Sequence, residues 1–359
     1  MNQLMLHEFH NRRGARFTQV GGQAAVADYG DWRTEHSALR QAAGVLDLSF
    51  RGRLCLVGAD RARFLHGQVT NDVNRLRPGE GCYAALTTLK GRMEADLNIL
   101  CLAEELLLDF EPGRTAHLTA RLERHIVADD VQLVDAAPHY GLLSVQGVQA
   151  EAVVRAAGLF TEFPARRLDS RKTAGAAGDI YLVNQPRLDA PGFDLFVPNA
   201  DLESVAAKLL AAGGWAAGWT ALETARIEAG IPRFGADMDE NTLPLECGIE
   251  SRAVVYNKGC YVGQEVINRI HSFGHVTREL RGLWLAADIK TLPQPGDKLM
   301  HAGQEVGAIT SAAWSPVFGA NLALGYVRRA ANQPGTELIL WTAAGESLAT
   351  VSPLPFVPP

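Results

Sequence analysis

The sequence has no excess of basic residues. Its 34 lysines and arginines face 40 aspartates and glutamates, giving a formal net charge of -6. The chain as a whole is therefore not a nucleic-acid-binding polycation, although a local basic cleft stays open. Cysteine is scarce and unpatterned: Cys55, Cys82, Cys101, Cys247 and Cys260 are odd in number and never stand in C-x-x-C spacing. That argues against a disulfide framework and a zinc site and fits a reducing compartment. No run of about 18 apolar residues offers a helical membrane span, and the first twenty residues lack the apolar core of a secretory signal. Arg12, Arg13 and Arg16 hint at a transit peptide, but the stretch is short and carries Glu8, so a cytoplasmic location is expected. No solenoid repeat is visible. The acidic loop from Asp237 to Asn241 reads as a solvated connection without calcium-loop spacing, and no metal is expected.

What is present suits a globular protein: 359 residues, 47% hydrophobic and 21% charged, enough for two or three domains. Polar loop at the start gives way to a helix over about Asp31 to Ala43 and to strands at Val45 to Phe50 and Arg51 to Leu56. Asp60 reads as the cap of a helix containing Phe64 and Leu65. Strands then follow at Cys82 to Thr88, Ala95 to Leu102 and Glu105 to Phe110, with Lys90-Gly91 as a hairpin turn. Leu118, Leu122 and Ile126, four apart, mark an amphipathic helix. Later units place strands at Gly141 to Val145, Ile180 to Asn184 and Phe193 to Val197, and helices at Ala150 to Ala157, Asp201 to Ala212 and onward from a Thr220 cap to Gly230. The rhythm implies mixed sheets with helices on one face, an α+β fold rather than a doubly wound one. Beyond about Val276 helical periodicity stops, and six short strands separated by Gly, Pro and Asn turns predict a small β-barrel or sandwich.

The stretch from Asn257 to Arg269 concentrates a thiol, charges and two glycines. Gly263 reads as the turn before a helix starting at Gln264, with Glu265 in its first turn and Arg269 four residues on. Cys260 would sit just before that helix, and the ammonium of Lys258 would favour its thiolate. The competing reading makes Cys260 a small filler in a glycine-flanked loop.

Three blocks together resemble the folate-binding superfamily of the glycine-cleavage T-protein: Phe64-Leu65-His66-Gly67-Gln68-Val69-Thr70-Asn71-Asp72-Val73; Arg226-Ile227-Glu228-Ala229-Gly230-Ile231-Pro232 running into Leu243-Pro244-Leu245-Glu246; and Lys258-Gly259-Cys260-Tyr261-Val262-Gly263-Gln264-Glu265. The third block is similar to the signature of the YgfZ-type branch, and the likeness covers nearly the whole chain. It implies a three-domain arrangement: a discontinuous folate-binding domain from 1–50 and 137–275, an inserted domain over 51–136, and a barrel over 276–359. It also implies tetrahydrofolate as ligand and iron–sulfur client proteins as partners, including tRNA-modifying ones, since that branch is linked to cluster assembly or repair.

By the same resemblance Glu228 holds the pterin, whose amino-pyrimidine edge a carboxylate suits, and Tyr83 lines the folate cleft. T-proteins carry an Asp-Asp-Leu step whose first acid assists the folate amine; the corresponding run here is Gly91-Arg92-Met93-Glu94-Ala95-Asp96-Leu97. With Ala95 in the first place the transferase would lose its base, unless a one-residue shift gives the role to Asp96 or Glu94. The leading expectation is thus a folate-binding iron–sulfur maintenance protein with Cys260 as its key side chain, and the alternative is a tetrahydrofolate-dependent aminomethyl or methyl transferase. Arg51, Arg53, Arg61 and Arg63 could line a basic face, but they read as solvated charges, and direct tRNA binding is not expected.

Overall fold

The computed structural model describes residues 3–357. In chain order it forms α1 (His7–Asn11), β1 (Arg16–Val20), β2 (Gln23–Asp28), α2 (Trp32–Gln41), β3 (Gly44–Asp47), β4 (Gly52–Val57), α3 (Arg61–His66), β5 (Gly81–Thr87), β6 (Met93–Cys101), β7 (Leu106–Phe110), α4 (Thr115–Glu123), β8 (Gln132–Asp135) and β9 (Tyr140–Gln146). There follow α5 (Ala150–Ala156), β10 (Ser170–Ala174), β11 (Asp179–Asn184), β12 (Gly192–Pro198), α6 (Leu202–Ala211), β13 (Trp215–Ala216), α7 (Trp219–Glu228), α8 (Glu250–Ala253) and α9 (Gln264–Phe273). The last strands are β14 (Arg278–Leu285), β15 (Lys298–His301), β16 (Gln304–Ser315), β17 (Ala320–Arg328), β18 (Glu337–Thr342) and β19 (Gly345–Ser352). The fold is α+β, as the alternation of elements implies.

The chain divides into two units. The first comprises residues up to Leu86, Ala95–Leu222 and Asn257–Tyr261. It holds a six-stranded sheet in the order β10-β11-β12-β9-β3-β13 and a five-stranded sheet in the order β5-β6-β7-β4-β8. Ala95, Leu97 and Ile99 of β6 pack with Leu54 and Leu56 of β4 and with Phe64, Leu65, Leu118 and Leu122 of α3 and α4. Because strand side chains alternate, Asp96 and Asn98 point to the opposite, polar face. The six-stranded sheet buries Val145, Leu182, Phe193 and Leu195 against Val153 and Val154 of α5 and Val205 and Leu209 of α6.

The second unit comprises Thr87–Glu94, Glu223–Tyr256 and the chain from Val262. Its strands close into a barrel, β14-β17-β16-β15-β18-β19, filled by alternate residues such as Leu283, Leu285, Leu338, Leu340, Ala349 and Val351. A bulge interrupts the β16 register between Ile309 and Ser311, which breaks strict alternation and lets two adjacent hydroxyls face the same way.

Local differences from the sequence reading have physical causes. The Asp60 carboxylate does not cap α3; it accepts the backbone N–H of Asp130 at 2.9 Å. Asp201 likewise accepts from Ala177 rather than capping α6, and Thr220 lies inside α7, which begins at Trp219. The β1–β2 hairpin stands where polar loop was expected, and β10 precedes the strand expected at Ile180 to Asn184; β1 and β10 are mostly polar, and β2 is a run of small apolar residues, so none shows a clean apolar alternation. No helix among the described residues is long and apolar enough to cross a membrane.

Candidate functional site

The polar face of the five-stranded sheet brings Tyr83 and Asp96 together: the phenol donates to Asp96 Oδ2 at 2.9 Å. β5 sets Tyr83, whose carbonyl accepts from Asn71 Nδ2 at 2.8 Å. Asp96 keeps some solvent access, yet the protein around it raises its carboxyl to about 6; burial is the main cause, the negative charge of Glu111 adds to it, and the Tyr83 hydrogen bond and Arg51 oppose it. Ala95 is 2% exposed and points into the apolar cluster beneath the sheet. A carboxylate at that position would be buried among leucines, whereas Asp96, like Glu94 two residues before it, lies on the polar face.

Arg51 and Arg53 are not the solvated charges expected of them. Arg51 is buried and pairs with Asp109 at 2.7 Å and with Glu111. Asp109 also meets Arg187 Nη2 and Asn98 Nδ2, at 3.1 and 2.9 Å. Burial pushes the Asp109 carboxyl up, but the two guanidiniums hold it well below the usual carboxylate range. Arg61 and Arg63 stay near the surface, where Arg63 pairs with Asp129 at 2.6 Å.

The Asn257–Tyr261 segment belongs to the first unit, and Lys258 is its anchor. At 8% exposure its ammonium donates to the carbonyls of His66, Val69 and Asn71 at 2.6, 2.7 and 2.7 Å. Nζ also lies 4.9 Å from the centre of the buried Tyr261 ring. Burial lowers the amine to about 8, with Asp72 opposing; three carbonyls nevertheless call for three N–H donors, which only the charged form supplies. The ammonium thus ties the first family-like block to the third instead of serving the thiol, and this corrects the expected thiolate support. Cys260 itself is exposed, whereas Cys55, Cys101 and Cys247 are buried. Gly259 lies close to His66, 3.3 Å from its Nε2 to where a Cβ would stand, and His66 Nδ1 lies 3.2 Å from Asp72 Oδ1.

In the second unit Gly263 forms the N-cap of α9 at φ +88°, as the sequence suggested. A Cβ there would fall 2.5 Å from the Thr88 carbonyl, so only glycine lets the helix start against the Thr88–Gly91 turn. The Thr87 hydroxyl donates to the Val262 carbonyl at 2.6 Å and fixes the same junction. Gln264, Glu265 and Arg269 lie along α9, with Glu265 and Arg269 exposed.

Glu228, the last residue of α7, is 4% exposed, and its Oε1 accepts the Ser315 hydroxyl and, at 3.4 Å, the Val317 N–H. Two residues earlier Arg226 pairs with Asp237 and Glu223. Asp239, Glu240 and Asn241 are exposed, as expected of a solvated connection, but Asp237 is fully buried: its carboxylate also takes the hydroxyls of Thr310 and Ser311, at 2.5 and 2.7 Å, which the β16 bulge aims at it together. Nothing in the local sequence announces these pairs, because their members lie 73 and 74 residues apart.

A mixed α+β body carrying a closed C-terminal six-stranded barrel is the T-protein build. The structure superposes with a TM-score of 0.90 on the crystal structure of glycine cleavage system aminomethyltransferase T from Bartonella henselae, covering 99% of this chain and 98% of that one at 24% identity. The chain belongs to the glycine cleavage T-protein family: residues 6–258 match the GCVT N-terminal domain, and residues 278–358 match the glycine cleavage T-protein C-terminal barrel domain. Relatives named aminomethyltransferase include one from Thermus thermophilus, 32% identical over 100% of this chain and 99% of that protein, and one from Deinococcus deserti, 30% identical over 91% and 88%. The aminomethyltransferase of Rubrobacter xylanophilus is 29% identical over 90% and 86%. These names support the superfamily and carry no mark of the YgfZ-type branch or of iron–sulfur assembly.

Proposed function

We propose that the protein binds tetrahydrofolate and transfers a one-carbon unit of the aminomethyl type, with Asp96 as proton acceptor and Glu228 as the pterin's acceptor. The observation that carries this reading is the Tyr83–Asp96 pair: a carboxyl at about 6, hydrogen-bonded and partly accessible, is matched to proton transfer near neutral pH. Glu228 fits the ligand, since a buried carboxylate held by a hydroxyl and a backbone N–H is fixed in place to receive donors from an amino-pyrimidine edge. Tetrahydrofolate, when bound, supplies the amine that receives the one-carbon unit. Tyr83 orients Asp96 and steadies its ionised form, and Asp96 takes the proton that the reacting amine must lose. The test is formation of methylenetetrahydrofolate from an aminomethyl donor. Asp96→Asn should lower turnover by roughly 10²- to 10⁴-fold, the usual worth of a positioned base; unchanged turnover would remove Asp96 from the role.

A second reading, support of iron–sulfur clusters in client enzymes, is favoured by one observation: Cys260 is exposed on a segment that Lys258 anchors. Cys260→Ser separates the two. Lost client-enzyme activity with folate binding and transfer intact supports the second reading, and unchanged client activity removes it.

A further inference from the structure

Arg278 of β14 and Arg328 of β17 stand directly opposite each other in the antiparallel ladder. The pleat turns both to the same side, where like charges repel. Arg278 lies against the Tyr326 ring, 4.4 Å from its centre. Its Nε and Nη2 donate to Glu246 Oε2 at 3.4 and 3.3 Å, and Nη2 also reaches the Asn241 carbonyl at 3.3 Å, which leaves Nη1 without an acceptor. Arg328 is exposed, and its side chain meets no carboxylate at ion-pair distance and no acceptor at hydrogen-bond distance among the described residues.

Both guanidiniums line a cavity of about 440 Å³ within the second unit, between β14, β16, β17 and the loop from Gly235 to Thr242. Three carboxylates share that lining. Asp237 is matched by Arg226, and Glu305 by Lys298 at 2.7 Å. Asp239 is exposed and has no ion-pair partner among the described residues. Its Oδ1 accepts the Asn241 N–H at 2.8 Å and the Thr242 hydroxyl at 2.9 Å, whereas its Oδ2 takes only the Asn241 side-chain amide, at 3.4 Å. Partial burial pushes the Asp239 carboxyl up, but these hydrogen bonds and the charge of Arg278 hold it below its ordinary value, so it is an anion at neutral pH. One cavity thus holds an uncompensated cation and an uncompensated anion that do not meet each other.

We propose that this cavity binds a small α-amino acid as its zwitterion, with the carboxylate between Arg328 and Arg278 Nη1 and the ammonium at Asp239 Oδ2. The free guanidinium fork of Arg328 suits the two parallel bonds that a planar carboxylate accepts, and a third bond from Arg278 relieves the repulsion between the two arginines. An ammonium brings three donors to the Asp239 oxygen that lacks a close partner. A plain anion would set its charge against Asp239, and a plain amine would set its charge against the arginines; a ligand carrying both signs answers both. The volume falls in the range of small-molecule sites and leaves room for a short side chain. The site uses neither Asp96 nor Glu228, so it stands whether or not the transfer reading holds.

Calorimetric titration of the full chain with L-valine, 3-methylbutanoate and isobutylamine in separate runs tests the site, because the three share one branched carbon frame and differ in the charges it carries. L-Valine is expected to bind saturably and roughly tenfold more tightly than either singly charged analogue. Arg328→Gln removes the free fork from an exposed position and should weaken L-valine roughly tenfold or more. Asp239→Asn keeps an acceptor for the Asn241 N–H and the Thr242 hydroxyl but loses the charge, and should weaken L-valine to a similar degree; if that variant does not fold, Arg328→Gln decides. Absence of saturable L-valine binding, either analogue binding as tightly as L-valine, or unchanged L-valine affinity in Arg328→Gln would overturn the proposal.

Discussion

Replacing Asp96 by asparagine should make the protein more stable while making it a poorer catalyst. In the folded chain the Asp96 carboxyl is held at about 6, chiefly by burial, above the ordinary carboxylate range. A raised value means that folding favours the neutral acid. The stability that the neutral acid provides is therefore complete at pH below the ordinary value and is lost as pH rises towards 6. The distance between the two values corresponds to about 3 kcal/mol, an upper bound because Asp96 keeps some solvent access. Asparagine preserves an acceptor for the Tyr83 phenol and cannot ionise, so at pH 7 Asp96→Asn should be more stable by about 1–3 kcal/mol. At pH 4 the two proteins should converge to within about 0.5 kcal/mol, since the wild-type acid is then neutral as well. Urea denaturation at the two pH values, followed by tryptophan fluorescence, measures both gaps. A variant less stable than wild type at pH 7, or a gap independent of pH, would refute the account of Asp96 as a buried acid carrying an ionisation cost.

Further predictions concern the anchor and the turn. Lys258→Met strips the donor from three carbonyls at once and should destabilise the chain by about 3 kcal/mol in denaturant unfolding, partly offset by relief of the buried charge; a variant within about 0.5 kcal/mol of wild type would show that the ammonium contributes nothing net. Gly263→Ala combines a left-handed backbone with a Cβ pressed on the Thr88 carbonyl and should lose at least about 2 kcal/mol. Gly235, at φ +83° with open space around it, is the control: its alanine variant should lose only about 1 kcal/mol from backbone strain, and equal losses would contradict the packing argument. Cys260→Ser changes an exposed side chain and should leave the melting temperature unchanged.

Much of this was legible in the sequence. All six barrel strands showed themselves because helical periodicity stops there and short apolar-rich stretches follow one another between glycine, proline and asparagine turns, and Gly263 was legible because a glycine before a charged helical stretch has few other uses. The hairpin of β1 and β2 was hidden because Arg16, Thr18, Gln19 and Gln23 leave no apolar stripe. The pairings that build the site were hidden for another reason. Lys258 reaches carbonyls 187 to 192 residues away, Asp237 takes hydroxyls from a bulged strand far downstream, and which of positions 95 and 96 suits an acid depends on the face each presents. Spacing reports local periodicity, and such partners depend on which strands meet.

Binding of tetrahydrofolate is the claim on which the rest depends, and thermal unfolding of the purified protein across a tetrahydrofolate titration tests it most directly. A ligand bound only by the folded state should raise the melting temperature in a saturable way, by the equivalent of about 2.7 kcal/mol at a hundredfold excess over Kd. Glu228→Gln, which keeps an acceptor for the Ser315 hydroxyl but loses the charge offered to the pterin, should fold and shift the titration to higher ligand by roughly tenfold or more. An unmoved melting temperature at saturating tetrahydrofolate, with Glu228→Gln indistinguishable from wild type, would contradict the account.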